Sequence, residues 1–76
     1  MLIQMNGGVQ LTFMDVNAKN AEIRLYNSAG QMTIRQQGGA KDGQKVFVDM
    51  NDLSSGVYLI QVINDHKILL SQQVIR

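Results

Sequence analysis

Val9, Leu11 and Phe13 alternate with Gln10 and Thr12 in "VQLTF", the period of two that marks a strand with one face buried. The same period returns in "AEIRLY", where Ala21, Ile23 and Leu25 oppose Glu22, Arg24 and Tyr26. It continues through Met32 and Ile34 of "QMTI" and through Val46, Val48 and Met50 of "VFVDM". Between these runs lie "NAKN", "NSAG", "QQGGAKDG" and "NDLSSG". These are clusters of Asn, Asp, Ser and Gly, whose tolerance of left-handed backbone and local side-chain hydrogen bonding favour turns.

"GVYLIQVI" departs from simple alternation: Tyr58, Ile60 and Val62 form one face, while Val57, Leu59 and Ile63 leave only Gln61 polar on the other. Such a strand belongs in the middle of a sheet or against another element. "NDH" then reverses the chain, and "KILLSQQVIR" returns as a last strand. Gly38, Gly39 and Gly43, with Lys41 and Asp42, are expected to form the longest loop. The pattern predicts six antiparallel strands, a seventh if "LIQM" pairs at an edge, and no helix longer than a turn. The fold class is therefore all-β, a small antiparallel β-sandwich.

Length and charge narrow the picture. A chain of 76 residues allows one domain with a modest core, since a domain near this size buries only about 60% of its unfolded surface. Hydrophobic residues at 45% against charged residues at 17% place it among folded rather than disordered chains. A net charge of +1 lacks the basic excess that nucleic acid demands, so no nucleic-acid partner is expected. The absence of cysteine removes disulfides and thiolate metal sites. "MLIQM" lacks the charged start and long apolar core of a secretory signal. The chain reads as residues 1–76 of a single domain, a fragment of a longer parent.

Catalytic chemistry finds little support. His66 is the one histidine and falls in a hairpin turn between Asp65 and Lys67, with too few partners for a metal site or a general base. Asp49 and Asp52, with Asn51 between, suggest oxygen ligands for calcium, but the spacing lacks an EF-hand's loop length and distal acid, and Asp52 suits turn chemistry before Leu53 better. Ser28, Ser54, Ser55 and Ser71 have no nucleophile-elbow flanks, and "NGG" and "GGAKDG" precede no helix that could hold an anion. The expectation is no enzyme, no cofactor and no metal. Val57, Leu59 and Ile63 are the sharper candidates: if exposed, they form an apolar face suited to a partner.

Two stretches, "AEIRLYNSAGQMTIRQ" and "VFVDMNDLSSGVYLIQVINDHKILLSQQVIR", together resemble the C-terminal sorting domain of proteins exported by the type IX (Por) secretion system of Bacteroidota. The resemblance rests on Leu25, Tyr26, Asn27, Gly30 and Gln31, then Val48 and Asp49, then Leu53, Gly56 and Tyr58, and finally Lys67, Val74, Ile75 and Arg76. It covers about residues 21–76. The Tyr-Pro-Asn-Pro type opening of many members has no counterpart in this proline-free chain.

The resemblance implies an Ig-like sandwich that acts as a folded address. The cargo domain lies ahead of it, and the type IX translocon carries the protein through the periplasm and across the outer membrane. Sortase-like machinery then leaves the cargo on the cell surface, or it is released outside. On this reading Gly56 and Tyr58 shape the fold, and Val74, Ile75 and Arg76 form the edge that is read, so loss of Arg76 should spare folding. The alternative is an Ig-like accessory module that contacts a carbohydrate, a protein or its parent enzyme through Val57, Leu59 and Ile63. Unpaired strand edges also suggest a strand-exchanged homodimer.

Overall fold

The computed structural model describes residues 2–13, 18–40 and 43–76. Among these, seven strands and no helix occur: β1 (Leu2–Met5), β2 (Gly8–Thr12), β3 (Ala18–Tyr26), β4 (Met32–Ala40), β5 (Lys45–Asp49), β6 (Val57–Asn64) and β7 (Lys67–Ile75). "LIQM" does pair at an edge, as β1. A three-stranded sheet has the order β1-β2-β5, and a four-stranded sheet the order β4-β3-β6-β7, every pairing antiparallel. The chain pairs β1 with β2, β3 with β4 and β6 with β7 inside one sheet and changes sheet after β2, β4 and β5, the three-on-four arrangement of a small Ig-like sandwich.

The core follows from the alternation. Val9, Leu11, Phe13, Val48 and Met50 come from the smaller sheet and its ends. Ala21, Ile23, Leu25, Tyr58, Ile60, Val62 and Val74 come from the larger, and all are buried. Strand β6 lies between β3 and β7. Its Tyr58, Ile60 and Val62 enter the core, while Val57 and Leu59 face outward and stay exposed and Ile63 is half-buried.

Local turn signals mislead in two places. The last three residues of "NAKN" extend β3, and Gly38 and Gly39 continue β4, where Ala21 pairs with Gly38 and Ala18 with Ala40 around a register shift. Pairing between the two strands overrides the weak β preference of glycine and asparagine. Of the expected long loop, Lys41 and Asp42 lie outside the described residues.

Gly8 shows why one residue type is needed in β2. A Cβ there would collide with the Val48 carbonyl and sit 2.7 Å from the Phe47 ring, which lies across the neighbouring strand. Glycine lets an aromatic side chain cover the backbone at this point.

The corner at Tyr58 and the end of the last strand

"LSSGVY" forms the connection from β5 into β6. The Leu53 amide donates to the Met50 carbonyl at 3.0 Å and its half-buried side chain packs on the core. The Tyr58 hydroxyl donates to the Ser54 carbonyl at 2.7 Å while its ring is buried. A tyrosine near the start of a strand that bonds backbone a few residues upstream is the tyrosine corner of Ig-like sandwiches. It fixes how the chain crosses from one sheet to the other, because the buried hydroxyl needs a partner and finds it in the crossing segment.

The two glycines of the motif do different work. Gly30 sits at φ +83° in the left-handed region, as a tight turn requires. Gly56, at φ +159°, borders the extended region instead. It exchanges both backbone hydrogen bonds with Arg76, at 3.1 and 2.9 Å, and so starts the β6–β7 ladder at a bend in the chain.

Asn27 organises the β3–β4 turn. Its Oδ1 accepts from the amides of Ala29 at 3.0 Å and Gln31 at 2.9 Å, and its own amide donates to the Gln31 carbonyl at 2.9 Å. Asp49 acts likewise after β5: its Oδ1 accepts from the Asn51 amide at 2.9 Å. His66 is exposed in the β6–β7 turn, where Asp65 and His66 have φ of 49° and 66°.

The residues expected at the read edge divide. Val74 pairs with Tyr58 and is 1% exposed, so its side chain belongs to the core; the expectation that it lies on a readable surface is corrected by inward alternation. Ile75 points the other way and is 59% exposed. Arg76 is exposed yet anchored: its Nε donates to the Met50 carbonyl at 2.9 Å and its Nη2 to the Asn51 carbonyl at 3.2 Å. The guanidinium thus ties the end of β7 to the turn after β5.

Register joins two groups that sequence reasoning kept apart. Val57 lies opposite Ile75, and Leu59 lies between Tyr26 and Gln73. Val57, Leu59 and Ile75 therefore form one outward apolar strip. A depression of about 320 Å³ adjoins it, lined by Asn27, Ser28, Val57, Tyr58, Leu59 and Gln73. Ile63 stands apart, beyond Gln61 and opposite Ile68.

Sequence reasoning missed Glu22. It lies on the outer face of the larger sheet yet is only 7% exposed. Its carboxylate accepts from Arg24 and Arg35, both as ion pairs, and from Gln37 at 3.2 Å. The Arg35 hydrogen bond, with those of Arg24 and Gln37, outweighs burial and lowers its pKa to about 2. A carboxylate so saturated holds strands together and is no base. The sequence signal was slight, since Arg35 and Gln37 reach Glu22 only through the β3–β4 pairing. Among the described residues no cluster of His, Asp or Glu could hold a metal ion.

Comparison with curated proteins and with solved structures gave no match. The family model of the secretion system C-terminal sorting domain matches residues 5–76, which include the Tyr58 corner, the Asn27 turn and the whole of β7. With nearly the full chain matched, this protein belongs to the family of type IX secretion C-terminal sorting domains.

Proposed function

We infer that this domain acts as its family does: the family is one of sorting signals rather than of enzymes, recognised by the type IX machinery and implying export across the outer membrane. We propose that this domain is the folded address of a longer cargo protein lying ahead of it, and that its recognised surface is the strip of Val57, Leu59 and Ile75 beside Arg76. The single observation that carries this reading is the adjacency of Val57 and Ile75 on the outward side of β6 and β7. Gly56, Tyr58 and Val74 serve by building the corner and core that hold the strip in place. Sortase-like processing and surface attachment of the cargo follow in this reading, with release outside as the other fate.

The test is delivery of a reporter fused ahead of residues 1–76 in a type IX-competent cell. Removing "QQVIR" is too coarse, because it also deletes the core residue Val74. Ile75→Asp and Leu59→Asp keep the core intact. Surface delivery lost with either, at unchanged Tm of the purified domain, supports the reading. Normal delivery of both sinks the strip as the recognised surface.

The accessory-module reading uses overlapping residues, since Val57 and Leu59 are exposed. It predicts that Leu59→Asp abolishes binding to the parent or to a carbohydrate while export proceeds.

A further inference from the structure

Strands β1 and β7 are edges of different sheets, and an edge presents unpaired backbone groups to any strand that approaches. Gly56 and Arg76 exchange both of their hydrogen bonds. Antiparallel pairs alternate between bonded and non-bonded, so the next pair, Val57 and Ile75, is of the non-bonded kind. The Ile75 N–H and C=O therefore point to the free edge.

There they meet Gln4 of β1. Its Oε1 accepts from the Ile75 amide at 3.3 Å, and its Nε2 donates to the Ile75 carbonyl. One side-chain amide thus satisfies both groups, as a peptide unit of an added strand would. By the same alternation the backbone groups of Gln73 face this edge, and no side chain among the described residues bonds them.

We propose that Gln4 is a latch that closes the β7 edge at Ile75 and pins the end of the last strand to the opposite sheet. The Arg76 guanidinium on the Met50 and Asn51 carbonyls ties the same segment a second time. The latch makes residues 75 and 76 part of the closed fold. It leaves Gln73 open to strand addition and denies Ile75 to it. The proposal is independent of export, because it is read in the isolated chain.

Amide hydrogen exchange followed by NMR tests it. With each rate corrected for the intrinsic exchange of its own sequence neighbours, the Ile75 amide of the wild-type chain should exchange about tenfold more slowly than that of Gln73, the factor expected of one net hydrogen bond. Gln4→Ala should abolish the difference while the amides of Ile60 and Val74 keep their protection. Equal exchange of Ile75 and Gln73 in the wild type overturns the latch, as does unchanged Ile75 protection in Gln4→Ala. If Gln4→Ala also loses core protection, Gln4→Leu decides, because it keeps the bulk of the side chain and removes both the acceptor for the Ile75 amide and the donor to its carbonyl. Ile75 protection below wild type with the core intact upholds the latch, and wild-type protection overturns it.

Discussion

Val74 and Ile75 are consecutive in the last strand, yet one is sealed in the core against Tyr58 and the other stands in solvent opposite Val57. Alternation along a strand assigns them opposite faces and hence opposite duties. Val74→Ala should destabilise the domain by about 2 kcal/mol, from lost burial and a residual cavity. Ile75→Ala should stay within about 0.5 kcal/mol of wild type. Urea unfolding of the two variants measures both, and equal losses would contradict the assignment of faces.

Arg76 is anchored more firmly than an ordinary surface residue at a strand end. Arg76→Ala removes two hydrogen bonds to backbone carbonyls. A loss of about 1 kcal/mol is expected, visible as a lower urea midpoint. The sequence-based expectation that its loss spares folding is thereby modified: any export defect of this variant must be compared at matched stability.

Tyr58→Phe keeps the buried ring and deletes only the hydroxyl that reaches Ser54. The expected cost is about 1 kcal/mol. Because the bond closes the crossing between sheets, amide exchange at residues 54–56 should accelerate more than at Ile60. A uniform change across the domain would show that the hydroxyl does not hold the corner.

Glu22 gives stability a dependence on pH. Its pKa in the fold lies near 2, below the ordinary value of 4.5. The unfolded chain therefore binds the proton first as pH falls, and stability rises with pH wherever the unfolded state holds more protons. The contribution is complete above pH 4.5 and is lost on descending toward pH 2. Glu22→Gln should flatten the change in urea midpoint across that window; a profile as steep as wild type would assign the acid sensitivity to other carboxylates.

His66 occupies left-handed backbone for no chemical return that the structure shows, with φ of 66° beside Asp65 at 49°. Both central positions of a two-residue hairpin turn of this kind favour Asn and Gly. His66→Gly should stabilise the domain by about 1 kcal/mol, raising Tm. A lower Tm would reveal a contact of the imidazole that outweighs its backbone cost.

The alternation of Val9, Leu11 and Phe13, of Ala21, Ile23 and Leu25, and of Tyr58, Ile60 and Val62 determined which side chains enter the core. This was legible because the period of a strand is a local property. Turn chemistry was legible in the "NSAG" cluster, where Asn27 organises its own neighbours, but it was expected of Asp52 where the structure shows Asp49 accepting from the Asn51 amide. Local signals failed at Gly38, because pairing with Ala21 outweighed its own preference. Tertiary structure alone decided that Val57 faces Ile75, that Arg35 and Gln37 reach Glu22, and that Gln4 reaches Ile75 across 71 residues of chain. Each of these depends on register or on contact between two sheets, which no local period encodes. A shift of one residue would turn every face over and dissolve all three.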